Sequence, residues 1–238
     1  DLMFYEIGKV YHFNPQSDKN QDVRKRYSED HRLGIFLTGK KYKESWNKPG
    51  DIFDLYDAKY WVHNVLTRMG VQSEKLQTKS CSRDYFSEGL LYKNGKSEIV
   101  QFGKVSRKLL QKFDIEQDVF YVDIAWDLLV EMTRDVAIAY KPLPKYPEVR
   151  RDLAMILDKG VKFEDIKQLA YEKDRKILKS VSLFDVYEGK NLGEGNRSLA
   201  LSLFWQHPEH TLNEDEVHGL FNSVIEALQQ ELGATLRS

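Results

Sequence analysis

"YPEVRRDLAMILDKG", residues 146–160, contains five apolar residues in a row, Leu153 to Leu157. Charged residues precede this run, and a turn-forming Asp-Lys-Gly sequence follows it. An unbroken apolar run of this length is typical of a central strand whose two faces are both largely covered. We therefore take it as the strand around which the C-terminal part of the chain folds.

The residues after this strand predict the order β-α-β-β-α-β. A capping box formed by Thr211 and Glu214 is expected to start the long second helix, and Gly233 to end it. Two right-handed crossovers then give a four-stranded antiparallel sheet with both helices on one face, the ferredoxin-like plan, and leave the other face free for single-stranded RNA or a partner protein. After Leu153–Leu157, the predicted elements are a helix over Phe163–Tyr171, strands over Leu178–Tyr187 and Ser198–Trp205, the long helix with its apolar stripe from Val217 to Leu232, and a strand over Ala234–Arg237.

The residues before this strand predict a separate α+β layer built on a mostly antiparallel sheet. Three prolines, Pro142, Pro144 and Pro147, predict an extended linker, because each disfavours helix in the residue before it. The domains are accordingly residues 1–140 and 148–238, joined by residues 141–147. Residues 14–31 are predicted as loop, and the predicted elements of the first domain are strands over Phe4–Phe13, 32–39 and Val119–Ile124, a hairpin around Asn94-Gly95, and helices over Ile52–Met69, Val105–Phe113 and Trp126–Met132.

Composition narrows the class of protein. The 238 residues carry a formal net charge of -1, which gives no overall sign of a nucleic-acid partner. A single cysteine, Cys81, excludes a disulfide framework within the chain, so we expect a reducing, cytoplasmic setting. The first residues resemble neither a signal peptide nor a membrane span. Because the chain opens directly on a strand-like segment, we expect it to be a piece of a longer protein.

We find no catalytic or metal-binding pattern. His12, His31 and His63 are scattered, and the HPEH sequence with His207 and His210 lacks a third ligand at a credible spacing, so no metal site is predicted. The glycine-rich "GEGNR", residues 193–197, faintly resembles an ATP-binding motif, but its position in a hairpin favours a turn. The arginines of the first domain, namely Arg26, Arg32, Arg83, Arg107 and Arg134, do not form a pattern for ATP phosphates.

Any RNA contact of the second domain must be local. Residues 146–238 carry 12 Lys and Arg against 16 Asp and Glu, and an acidic domain is a poor nonspecific binder of phosphates. The alternative for each candidate cation is solvation at the edge of the sheet and an ion pair with Asp152, Asp185 or Glu188. The strand aromatics Phe184, Tyr187, Phe204 and Trp205 are candidates for base stacking if exposed, and core packing is their alternative. The candidate RNA-binding cations are Arg150, Arg151, Lys190, Arg197 and Arg237.

Several motifs in order resemble one family. The segments "YPEVRRDLAMILD", "LFDVYEGKNLGEGNRSLALSLFWQHPEHTLNEDEV" and "LGATLRS" are similar to the ferredoxin-fold anticodon-binding domain that ends the bacterial phenylalanine–tRNA ligase beta subunits. Upstream, "YEIGKVY", "DIFDLYDAKYWVHNVL", "IVQFGKV" and "FDI" resemble the class II synthetase-like domain of the same subunits.

The resemblance implies that the chain is the C-terminal fragment of a cytoplasmic ligase subunit. The parent enzyme would use ATP and Mg²⁺ to attach phenylalanine to tRNA(Phe), as a heterotetramer of two alpha and two beta chains. Catalysis would lie in the alpha subunit, on which residues 1–140 would pack as a non-catalytic domain, and the terminal domain would contact the anticodon region. The fragment itself would hold no catalytic residue, metal or cofactor.

Two other functions stay open on the sequence alone. The β-α-β-β-α-β topology also occurs in small-molecule regulatory and protein-interaction modules that do not contact RNA. Residues 1–145 could also serve purely as a scaffold for the alpha chain.

Overall fold

The computed structural model describes residues 1–13, 26–135, 140 and 142–237. The chain forms two compact units, Asp1–Ala139 and Tyr140–Ser238, and each has its own sheet and its own apolar core. This division lies beside the predicted linker, of which residue 141 is outside the described part. In the described part of the chain, no helix is long and apolar enough to cross a membrane.

The first unit is a six-stranded antiparallel sheet with two of its three helices on one face and the short third one on the other. Its strands are β1 (Leu2–Phe13), β2 (Tyr27–Thr38), β3 (Gln77–Ser80), β4 (Phe86–Asn94), β5 (Ser97–Val105) and β6 (Val119–Ala125). Its helices are α1 (Leu55–Arg68), α2 (Arg107–Gln111) and α3 (Trp126–Thr133). The strand order is β1-β2-β6-β5-β4-β3. The core lies between one face of the sheet and the buried side chains of α1 and α3.

Helix α1 shows how local sequence sets an element of this unit. Asp54 accepts a hydrogen bond from the backbone N–H of Asp57, and the Asp57 carboxylate accepts one from the backbone N–H of Asp54. This reciprocal cap fixes the first turn, so the helix begins at Leu55 rather than at the predicted Ile52. The apolar stripe, at spacings of three and four, is buried through Ala58, Val62 and Leu66.

The strand β2 is longer than its sequence predicts. Residues 27–31 were predicted as loop, but they pair with β1 over the outer end of a twelve-residue register from Tyr27 to Thr38. Their polar side chains are mostly exposed there, so hydrophobic patterning does not identify them as a strand. The rest of that predicted loop, residues 14–25, lies outside the described residues.

The Asn94-Gly95 hairpin prediction is confirmed. β4 ends at Asn94, β5 starts at Ser97, and Gly95 has a φ of 58°, a left-handed conformation that glycine adopts without steric cost. The sequence analysis missed β3, a fully exposed four-residue strand at the edge of the sheet beside β4. Short polar edge strands carry almost no apolar signal.

The second unit has the predicted β-α-β-β-α-β order. Its elements are β7 (Val149–Asp158), α4 (Phe163–Lys173), β8 (Leu178–Tyr187), β9 (Asn196–Trp205), α5 (Glu214–Leu232) and β10 (Thr235–Leu236). The sheet is antiparallel with the order β10-β7-β9-β8, so β7 lies inside it, and the core is formed with α4 and α5. The predicted ferredoxin-like plan is thus confirmed.

The central strand β7 is covered unequally on its two faces. Leu153, Met155 and Leu157 are buried in the core, whereas Ala154 and Ile156, on the opposite face, are only half-buried. The prediction of a strand largely covered on both faces is therefore wrong in part. Ala154 and Ile156 are apolar, so the sequence shows an unbroken apolar run. No second core covers their side of the sheet in the described part of the second unit.

The glycine-rich hairpin between β8 and β9 is a turn, as its position favoured. Gly193 and Gly195 both have a φ of 82°, and the Asn196 side chain donates a hydrogen bond to the Leu192 carbonyl at 3.0 Å. This segment therefore provides the backbone conformation of a loop, not a phosphate cradle that opens a helix.

Helix α5 begins later than the predicted capping box requires. Its N-cap is Asn213, whose side chain accepts from the Glu216 N–H at 2.9 Å, while Glu216 accepts from the Asn213 N–H at 2.9 Å. The predicted pair of Thr211 and Glu214 is wrong, because Thr211 lies outside the helix and Glu214 is its first residue. Gly233 ends the helix in a left-handed conformation, as predicted.

Alanine variants of Asn213 and of Thr211 test which of the two residues caps α5. Asn213→Ala is expected to lower the free energy of unfolding of the second unit by about 1 kcal/mol, because the backbone N–H of Glu216 loses its side-chain acceptor. Thr211→Ala is expected to change it by less than about 0.5 kcal/mol. Urea titration followed by hydrogen exchange of α5 peptides measures both, and equal losses would contradict the observed cap.

Candidate nucleic-acid interface

The candidate site is the outer face of the second unit's sheet, the face that α4 and α5 leave open. Its side chains come from alternate positions of β7, β8 and β9, and we call it the outer face. Directly opposed positions place Asp152 beside Ser202 and Tyr187 beside Ser198. The strand β9, between β7 and β8, carries small side chains on this face, so the face is shallow there between larger neighbours. These residues are Ser198, Ala200 and Ser202.

Arg150 and Asp152 form a fixed ion pair on this face. The Arg150 Nε and Nη2 atoms donate to the two carboxylate oxygens at 2.7 and 2.9 Å, and the Ser202 hydroxyl donates to Asp152 Oδ1 at 2.7 Å. Arg150, followed by Ser202, lowers the pKa of Asp152 below its ordinary value. The guanidinium also lies 5.7 Å from the Phe184 ring centre and 5.8 Å from that of Phe204. The Arg150 guanidinium thus contributes a flat group to the outer face, and its positive charge is already paired with Asp152.

Arg237 reaches across the same face from the end of the chain. Its backbone N–H donates to the Ala154 carbonyl at 3.0 Å, which fixes its position beside β7. Its guanidinium lies 4.9 Å from the Tyr187 ring centre and donates to the Ser198 hydroxyl at 3.3 Å. Neither contact is with a carboxylate, so the positive charge of Arg237 is available to a phosphate.

The other predicted RNA-binding cations are not brought to this face. Arg151 donates to Glu214, the first residue of α5, at 2.5 Å, and so faces the helices. Arg197 donates to the Val161 carbonyl at 2.7 Å, and its Nε is buried without a hydrogen-bond partner in the described part of the chain. The side chain of Lys190 lies outside the described residues. The five predicted residues therefore do not form one cluster.

The strand aromatics divide between the two faces. Trp205 is fully buried under the helices and is excluded from base stacking. Phe184 and Tyr187 are 55% and 40% exposed, and Phe204 is half-buried beneath Arg150. The exposed parts of these two rings, each beside an arginine, are aromatic surface of the kind on which unpaired bases stack.

Histidine contacts were missed by the sequence analysis. His31 lies 3.1 Å from the Asp127 carboxylate, 96 residues away, and His210 lies 3.1 Å from Glu216. Because 96 residues separate His31 from Asp127, sequence spacing gives no signal for that pair. Across the residues that the structure describes, no three His, Cys, Asp or Glu side chains are grouped so that they could hold a metal ion.

Arginines of the first unit are largely engaged by protein groups. Arg32 lies 3.5 Å from Asp123, Arg83 pairs with Glu98 at 2.6 Å, and Arg107 donates to the Glu116 carbonyl. These contacts agree with the absence of an ATP-phosphate pattern in the sequence.

Two family models match the chain. Residues 1–126 match the phenylalanyl tRNA synthetase beta chain CLM domain, and residues 144–237 match the ferredoxin-fold anticodon binding domain. Each match falls in a different compact unit, and the second includes the whole outer face.

Curated relatives match along the whole chain. The phenylalanine–tRNA ligase beta subunit of Bacteroides thetaiotaomicron is 39% identical over 238 residues, which is 100% of this chain and 29% of that protein. Those of Porphyromonas gingivalis and Listeria monocytogenes are 36% and 32% identical, over 99% and 100% of this chain and 29% of each relative. This chain thus spans less than a third of the length of these relatives. Among solved structures, a pyrrolysyl tRNA synthetase from Desulfitobacterium hafniense gives a TM-score of 0.38 at 13% identity over 58% of this chain and 46% of that chain, too low to support an argument.

Proposed function

The chain belongs to the phenylalanyl-tRNA synthetase beta chain family, and from this premise we propose that it is the C-terminal part of such a subunit. In this proposal residues 1–140 form the non-catalytic synthetase-like domain, residues 141–147 the linker, and residues 148–238 the domain that contacts the anticodon region of tRNA(Phe). The family assignment disfavours the alternative of a small-molecule regulatory module.

The outer face carries the RNA part of this proposal. Phe184 and Tyr187 are exposed on an open sheet, and Arg237 beside them has no carboxylate partner among the described residues. Unpaired bases of an anticodon loop would stack on the two rings, and Arg237 would contact the phosphate backbone. Because the charge of Arg150 is paired with Asp152, stacking would supply more of the affinity than phosphate contacts do.

The edge of the first sheet supports the partner part of this proposal. Met3, Tyr5 and Ile7 of the edge strand β1 are 56%, 72% and 49% exposed, and they border an apolar groove that continues to Trp61 and Val65 of α1. A contiguous exposed apolar surface of this kind is typical of a protein interface. We propose that the catalytic alpha chain packs here, in a cytoplasmic heterotetramer that uses ATP and Mg²⁺.

Assembly and RNA binding test the proposal together. Co-expression with the alpha chain is expected to give one complex in size-exclusion chromatography, and filter binding is expected to show affinity of that complex for tRNA(Phe). We expect the outer face to contribute a salt slope of about 1, because it offers one available cation. Elution of alpha and beta chains as separate species would remove the packing part, and no tRNA affinity at low salt would remove the RNA part.

A further inference from the structure

The first unit has a cavity to which the proposed function assigns no role. It lies on the face of the sheet opposite α1 and α3, between the strands β1, β2 and β6 and the segment that contains α2. Its volume is about 630 Å³, within the range typical of small-molecule sites.

Aromatic rings form the floor of this cavity. Phe4, Phe36 and Tyr121 lie directly opposite one another on three neighbouring strands. Their ring centres are 4.9 and 4.6 Å apart in succession, with interplanar angles of 20° and 27°, so they form a continuous stack. Phe113, which is 69% exposed, also lines the cavity. Because the rings cover one another's faces, their edges line the cavity, and an aromatic ring can meet such edges in an edge-to-face arrangement.

One carboxylate lies at the end of this floor. Asp123 lines the cavity, and its side chain is 13% exposed. Its Oδ2 accepts from the Gln101 amide at 2.7 Å, but its Oδ1 is buried and accepts no hydrogen bond from the described residues, since the nearest Arg32 nitrogen is 3.5 Å away. A buried carboxylate oxygen without a donor is costly, and a ligand that supplies one would be stabilised there.

The charges around Asp123 favour a cation. Asp123 is the one charged residue among the described residues that line the cavity. Burial, followed by the charge of Asp123, raises the pKa of Tyr121 to about 12, so its phenol is neutral and protonated at physiological pH.

We propose that this cavity binds a small aromatic amine, with its ring against the edges of the Phe36–Tyr121 stack and against Phe113, and with its ammonium group directed at Asp123. The ammonium would compete with the Arg32 guanidinium, whose side chain is 31% exposed and lies beyond hydrogen-bond distance of Oδ1. This site is separate from the outer face and does not depend on RNA binding.

Calorimetric titration of the 238-residue chain with phenethylamine tests the proposal. We expect saturable binding, and much weaker binding of 3-phenylpropionate, which has the same ring and the opposite charge. Asp123→Asn is expected to weaken binding by about tenfold or more, and Phe113→Ala by about fivefold. The matched control is Asp118→Asn, since Asp118 pairs with Lys104 at 2.8 Å and does not line the cavity. It should leave the affinity unchanged.

Three results would overturn the proposal. They are no saturable binding of phenethylamine, equal binding of the amine and the acid, and an unchanged affinity of a folded Asp123→Asn variant. If circular dichroism shows that Asp123→Asn is unfolded, Phe113→Ala decides, because that exposed side chain adds little to the core. None of these measurements involves tRNA or the alpha chain, so their outcome is independent of the proposed function.

Discussion

Replacing Trp205 with alanine is expected to lower the free energy of unfolding of the second unit by about 3–5 kcal/mol. Trp205 is 0% exposed and is the largest of the fully buried side chains. It ends β9 in the core and meets Phe221 of α5 edge-on, at a ring-centre distance of 6.3 Å. Its removal leaves a cavity between sheet and helix that neither can fill without shifting.

Two other tryptophan variants make this result specific. Trp46 is 97% exposed, so Trp46→Ala is expected to change stability by less than about 0.5 kcal/mol. Trp205→Phe should cost clearly less than Trp205→Ala, because the ring is kept and the buried indole N–H has no acceptor in the described part of the chain. Hydrogen exchange during urea titration measures each unit separately, through peptides covering β7 and β9 for the second unit and peptides covering β2 and β6 for the first. Similar losses for Trp46→Ala and Trp205→Ala would contradict the assigned core.

The double variant Phe184→Ala, Tyr187→Ala is expected to lower the affinity of the assembled enzyme for tRNA(Phe) by at least about 30-fold. Base–aromatic stacking contributes about 1–3 kcal/mol per base, and the variant removes both exposed rings. Because these rings lie on the solvent side of the sheet, the fold should be retained, as circular dichroism would verify. Filter binding at two salt concentrations measures the loss.

Two control variants in the second unit test whether a loss of tRNA affinity comes from the two rings or from any change of the surface. Val186→Ala removes a side chain that is 47% exposed between the two rings in sequence, and it should leave the affinity nearly unchanged. Arg151→Gln removes a charge that is paired with Glu214 on the helix side, and it should also have little effect. Retained affinity in the double variant, or an equal loss in Val186→Ala, would show that the RNA binds elsewhere.

Elements defined by a regular apolar period could be predicted from sequence. The alternation of Leu199, Leu201, Leu203 and Trp205 predicts a strand with one buried face, and all four are buried. The stripe of α1 and the Asn94-Gly95 hairpin are likewise local properties. In each case the residues that set the conformation are neighbours in the chain, so their order in the sequence is enough to predict the element.

Contacts between distant residues could not be predicted in this way. The sequence suggested Thr211 and Glu214 as the cap of α5, but the folded chain uses Asn213. Charge alone suggested five RNA-binding candidates, but Arg151 turns to Glu214 and Arg197 to the Val161 carbonyl, each across more than 30 residues. The identity of a charged residue does not tell which face of a sheet its long side chain reaches.

The brevity of β10 has a consequence for handling the protein. β10 pairs only with Met155 and Ile156, so the first half of β7 has no strand on that side among the described residues. Open edges of this kind recruit strands from other molecules and promote aggregation. This stretch contains three charged residues, Arg150, Arg151 and Asp152. Charged side chains on an edge strand oppose such self-association. Surface engineering for solubility or crystal growth should therefore retain these three charges.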